Sequence, residues 1–291
     1  MQQPKIEFKQ VRDFGEVIND TFVFIKQNFK PMMKSVITIS GIFAIGFSVF
    51  SILAFLNLKE LIRGGGLSNP TERMENTLSA TIPVYIFTFL VFFMVSLATL
   101  CYIAVYVEKN KETPTTTEVW SYAKYYFLRY LGSNILAFLM LILGFVCCIL
   151  PGLYLWPISS LITTAIILEN GGISYSLSRG FRLVKENWWS SFGTLIILSI
   201  IYYACTMAVS IPFLLAGSGA SFLTPDFSLP LILIIIQNVI GAFALYFVMI
   251  PIIGVALLFF SLVEQKESEG LMQRIQSVDD DAPKNSPEEE F

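Results

Sequence analysis

Three glutamates, Glu108, Glu118 and Glu169, stand beside long apolar stretches and are the acids with which this chain could hydrolyse a bond at a membrane surface. That chemistry needs one of them to meet a second acid, so that one donates a proton while the other activates water. The chain contains no histidine. The commonest general acid–base, the commonest metal ligand and every imidazole triad are therefore missing. No Asp, Glu, Lys or Arg lies inside the apolar stretches either, so neither a proton-coupling carboxylate nor the Asp pair of an intramembrane protease is available. Cys101, Cys147, Cys148 and Cys205 fall in apolar runs without metal-type spacing and read as small buried hydrophobes. The expectation is a non-enzymatic chain without cofactor or metal. Its uncharged pair Gln237-Asn238 is the candidate lining of a cavity, and its other intramembrane polar residues join helices by hydrogen bonds.

The elements that hold these residues follow from the charge-free stretches 35–58, 76–107, 130–168, 187–225 and 227–263, which make up more than half of the 291 residues. Charged residues are only 14% of the chain, apolar residues 55%, and mean hydropathy is +0.67. Such stretches are long enough to cross ~30 Å of hydrocarbon at 1.5 Å per residue. The fold class expected is all-α: a polytopic membrane protein with spans near 35–57, 80–107, 133–150, 153–168, 191–215 and 231–263, paired as three hairpins. One helix over the third stretch would be ~58 Å long, so Pro151-Gly152 is expected to break it; a re-entrant hairpin that fails to cross is the competing reading. Pro157, Pro212 and Pro251 predict kinks within spans.

An amphipathic segment precedes each hairpin. Ile18, Phe22, Ile25 and Phe29 follow steps of four, three and four, and so do Leu177, Phe181, Val184 and Trp188, 159 residues later. The middle copy, within residues 115–132, keeps the aromatic character in Trp120, Tyr125 and Tyr126 with a less regular spacing. Helices of this kind suit the membrane–water boundary, with Trp120, Trp188 and Trp189 at headgroup level. The chain thus divides into a segment 1–34 with its own amphipathic helix, a membrane domain 35–263 with further amphipathic helices near 115–132 and 173–189, and an acidic tail 264–291 expected to lack structure. Of the 19 Lys and Arg, 16 fall on one side of this topology, which by the positive-inside rule makes both termini cytoplasmic in a bacterial inner membrane. No apolar core near the start predicts a cleavable signal, and Gly64-Gly65-Gly66, lacking the Lys-Ser/Thr of a phosphate loop, reads as a flexible turn. Glu169, which closes the fourth span, is expected to pair with Arg179 or Arg182 and so clamp the next amphipathic helix, whose basic residues include Lys185.

The run Leu150-Pro151-Gly152-Leu153-Tyr154, Glu169, and the stretch from Leu177-Ser178-Arg179-Gly180-Phe181-Arg182 to Lys185-Glu186-Asn187-Trp188-Trp189 resemble the bacterial family of glycerophosphoryl diester phosphodiesterase membrane domains. Phe14-Gly15-Glu16-Val17-Ile18 resembles the opening of membrane proteins from Bacteroidetes-like bacteria. The resemblance implies a six-span helical domain. It transfers no activity, because in two-domain relatives a separate soluble domain with histidine and carboxylates does the chemistry. The functional expectation is a scaffold, accessory subunit or lipid-associating module, with a transporter or channel of repeated hairpins as the alternative. Its partners are then the bilayer, other membrane proteins or lipid headgroups, and not nucleic acid.

Overall fold

The computed structural model describes residues 5–63, 70–223 and 228–281, without the side chains at 58–63, 70, 73, 213–214, 216–223, 228–234 and 269–281. Eight helices follow in order: α1 (Phe14–Arg63), α2 (Pro70–Glu108), α3 (Thr116–Cys147), α4 (Ile149–Leu168), α5 (Ile173–Val184), α6 (Trp188–Leu223), α7 (Ser228–Ala244) and α8 (Met249–Asp281). A 3-10 turn, Leu245–Val248, joins the last two, and no strand occurs among the described residues. Six segments are long and apolar enough to cross a membrane, counting α7 and α8 as one. The chain is an all-helical integral membrane protein. The Gly64-Gly65-Gly66 turn and the tail beyond Asp281 lie outside the described residues.

The helices form two layers. The apolar stretch is 56% buried in α2, 50% in α4 and 67% in the last span, against 17–22% in α1, α3 and α6. α2, α4 and α8 touch one another at the centre, while α1 packs along α2, α3 along α4, and α6 against α7 and α8. Packing is also uneven along the bundle. The largest fully buried side chains, such as Phe24, Met32, Leu97, Tyr102, Ile162 and Phe259, lie toward the end that carries the basic residues, here the basic end. Among the described residues, none on α1 beyond Ser40 is buried, and none on α2 before Val91. The described residues of α1 and α2 in the far half are therefore open to their surroundings.

Helix starts at the basic end share a register. Asp13 caps α1, accepting from the Glu16 N–H at 2.7 Å while Glu16 accepts from the Asp13 N–H at 3.0 Å. Thr115 and Glu118 form the same reciprocal box at the start of α3. Gly172 caps α5. Four, eight and eleven residues after each cap come buried positions: Val17, Thr21 and Phe24; Val119, Ala123 and Tyr126; Ser176, Gly180 and Leu183.

Several boundaries differ from those expected. The first two amphipathic segments are continuous with their spans in α1 and α3, and only the third forms a separate helix, ending at Val184, so that Trp188 and Trp189 open α6. The α3–α4 break falls at extended Cys148 (φ −173°), not at Pro151-Gly152. Pro151 sits in the first turn of α4, where its missing N–H costs nothing. Gly152 is buried against α3, where a Cβ would meet the Phe145 ring at 2.5 Å, so its smallness serves helix contact and not reversal. α3 and α4, at ~48 Å and ~30 Å, are each long enough to cross. Cys147 and Cys148 are exposed, while Cys101 is buried as expected. The last span is interrupted at Leu245–Val248 instead of bending at Pro251. Pro251 cannot donate to Phe247, and its ring crowds that carbonyl, so the preceding turn tightens. Finally, α8 continues to Asp281, where the acid-rich composition predicts no structure from residue 264 onward.

Candidate functional site

Two places gather polar side chains. The first is the clamp at the basic end. Asn170, with φ of 50°, and the Gly171-Gly172 turn reverse the chain between α4 and α5. Glu169 caps the end of α4 and meets Arg179, one of the two arginines expected for it. Arg179 Nε donates to both carboxylate oxygens at 3.0 and 3.1 Å, and Nη2 donates to Oε1 at 2.6 Å. Tyr175 donates its hydroxyl to Glu169 at 2.9 Å, and Glu267 of α8 shares Arg179 Nη2 at 3.4 Å. Burial alone would lower the Arg179 pKa, but the hydrogen bonds and charge of Glu169 outweigh it and hold the guanidinium above its ordinary value. Burial, then the bond to Glu169, pushes the Tyr175 phenol up. Arg182 and Lys185 are exposed and make no ion pair among the described residues. Lys266 pairs with Glu186, and Asn187 donates to Gln265 at 3.2 Å. These contacts hold α8 in helix where it passes the clamp.

Trp188 stacks between Tyr154 (5.8 Å) and Phe192 (4.8 Å) and donates its indole N–H to the Tyr154 carbonyl at 3.2 Å. Trp189 is 80% exposed. Exposed with it at this end are Phe22, Phe29, Trp120, Tyr125 and Phe181. Lys124 lies 5.0 Å over the Trp120 ring and Arg129 5.1 Å over that of Tyr125. The expected stripe on α1 therefore splits: Phe22 and Phe29 face outward, Ile18 and Ile25 are half-buried, and the core takes Val17, Thr21 and Phe24.

Sequence reasoning missed Arg12. Residues 5–13 lie across the basic end, with Phe8 buried edge-on against Phe24, Tyr106 and Phe260 at 5.0–6.0 Å. The Arg12 guanidinium donates to Asp20 at 2.8 Å, to the carbonyls of Phe8 at 2.9 Å and Gln10 at 3.2 Å, and to that of Glu7. Its backbone exchanges hydrogen bonds with Ser261 of α8. One basic residue among six in the first 34 gave no signal for this; a lone Phe8 amid charges was the available hint.

The acids do not gather for hydrolysis. Glu118 serves its cap and pairs with Lys109 at 2.9 Å, and Glu108 accepts from Tyr122. Glu169 does approach a second acid, Glu267, but the Arg179 guanidinium stands between the two. Among the described residues, no group of three acids or cysteines is placed to hold a metal ion.

The second place is a cavity of about 340 Å³ in the open half, lined by Phe47, Ser51 and Phe55 of α1, Ser210 of α6, and Gln237, Asn238 and Gly241 of α7. The structure thus brings Gln237 and Asn238 to one cavity wall. Ser51 donates to the Asn238 carbonyl oxygen. Among the described residues, no charged side chain lines it. A separate groove of about 440 Å³ on the other side of the α1–α7 contact is almost wholly apolar, from Ile37 to Ile52 and Val239 to Tyr246.

Comparison of the chain with protein-family models, curated proteins and solved structures returns no match, so its functional reading rests on the residues and their geometry.

Proposed function

We propose that this chain is a non-enzymatic, lipid-associating membrane module whose basic end faces the cytoplasm of a bacterial cell and rests on anionic headgroups. One observation carries the reading: exposed aromatics at the basic end alternate with exposed Lys26, Lys30, Lys34, Lys124, Arg129, Arg182 and Lys185. Aromatic rings take the headgroup level, and each nearby cation adds ~1 kcal/mol of attraction to an anionic leaflet. The common register after Asp13, Thr115 and Gly172 supports three copies of one unit, each an amphipathic entry followed by a hairpin. The likeness to the phosphodiesterase membrane domains stays part of this proposal, as a likeness of architecture. Purification in mild detergent, with mass spectrometry of bound lipids and proteins, tests it. Anionic phospholipid should be enriched over bulk membrane and lost when Lys26, Lys30 and Lys34 are replaced by Gln. Equal lipid content, or turnover of a small substrate by lipid-free protein, would overturn it.

A transporter is the second reading, favoured by the cavity at Gln237 and Asn238. Against it stands the packed half beneath, where Met32, Val36, Leu97 and Leu257 are buried in one hydrophobic core.

A further inference from the structure

The cavity between α1, α6 and α7 poses a problem of satisfaction. Ser210 and Gln237 line it, are only partly buried, and their side chains make no hydrogen bond among the described residues. An amide carries two donors and an acceptor, and inside a span no bulk water meets them. Phe47 stands near the middle of the 35–57 stretch, with Ser51 and Phe55 one and two turns further from the basic end. Gly241 adds a second, independent observation. It lies within helix α7, where glycine is less stable than alanine, yet a Cβ built there meets nothing within 4 Å among the described residues. Packing does not call for a glycine at that position; the space in front of it is what a side chain would remove.

We propose that this cavity is a binding site for an uncharged group bearing hydroxyls or carbonyls, hydrogen-bonded by Gln237 and Ser210 and flanked by the rings of Phe47 and Phe55. Among the described residues the wall has no charge with which to offset a phosphate or ammonium, and burying either unpaired would be costly. Its volume sits at the small end of ligand pockets, ~300–1,000 Å³, enough for a head and not for acyl chains. Met207, Ile211 and Ile236, beside the polar lining in sequence, are exposed and apolar, which suits chains left in the bilayer. A neutral lipid head and a free polyol share this chemistry. The site is independent of the headgroup contacts proposed for the basic end.

The test uses the full chain in phosphatidylcholine nanodiscs doped with dioleoylglycerol, monoglucosyl diacylglycerol or phosphatidylglycerol, with bound lipid read by native mass spectrometry. Gly241→Leu fills the space and Gln237→Leu removes the amide. Both should keep wild-type melting temperature and helicity, since neither residue makes a contact the fold needs. Retention of a neutral lipid should fall at least tenfold in both. Should neutral lipids not bind while millimolar glycerol or glucose raises the melting temperature of wild type alone, the site stands with a soluble ligand. Equal retention in all three proteins, retention of phosphatidylglycerol only, or a destabilised Gln237→Leu would overturn the proposal.

Discussion

A guanidinium drawn out of water persists only when its partners replace the lost hydration. Arg179 and Arg12 meet that demand in different ways. Arg179 uses a carboxylate, Glu169, whose side chain is 18% exposed against 9% for the arginine. Breaking such a pair leaves a charge stranded, at a cost of ~3–5 kcal/mol. Glu169→Gln should therefore lower stability in detergent by about 3 kcal/mol. Glu267→Gln, acting on a side chain 61% exposed, should cost under ~1 kcal/mol. Arg182→Gln should change nothing measurable, and thermal melts of the three variants would check the ranking. Arg12 instead spends most of its donors on backbone carbonyls of residues 7–10. Arg12→Met should release that segment, raising amide hydrogen exchange over residues 5–12 at least tenfold with the spans unchanged. The Glu169 pair was legible because an acid at a span end faced two arginines one helical turn apart. The Arg12 contacts were not, because carbonyl acceptors carry no sequence signature.

Helix boundaries depend on which backbone groups can be satisfied, and the deviations here share that cause. Proline takes effect one turn before its own position, which places the distortion of the last span at Leu245–Val248 and not at Pro251. In the first turn of α4 the same residue type has no carbonyl of that helix to disturb, so Pro151 belongs to α4 and not to the break between two spans where it was expected. Composition cannot separate these cases without the neighbouring helix in view. Close helix contacts are equally hidden. Gly180 lets α5 lie on α4, where a Cβ would stand 2.6 Å from Ile162 Cγ1 and 3.2 Å from the Ile158 carbonyl oxygen. Gly180→Ala should thus destabilise the protein by ~1–3 kcal/mol through overpacking. Serine at 178, on the exposed face, should tolerate Ala within ~0.5 kcal/mol; chemical denaturation in detergent would separate the two.

Among the described residues, burial concentrates toward the basic end, with α2, α4 and α8 at the centre. The apolar extents could be read from charge spacing, and the count of six from the third stretch being too long for one span, since nothing but a bilayer suits such stretches. The layering could not, because α1 and α2, alike in hydropathy, are 17% and 56% buried over their apolar stretches. In a protein that retains only Cys148, at the exposed α3–α4 break, an impermeant maleimide should label the side opposite the termini; labelling from the same side would mean that α3 and α4 do not cross. The proposed function turns on where the aromatic end sits. Trp189, left as the single tryptophan in liposomes containing anionic lipid, reports that position through quenching by lipids labelled at graded depths. The account predicts strongest quenching by labels at the headgroup and first methylenes, with weak quenching by aqueous iodide. Strong iodide quenching with none from any lipid label would contradict it, placing this face in water or against another protein.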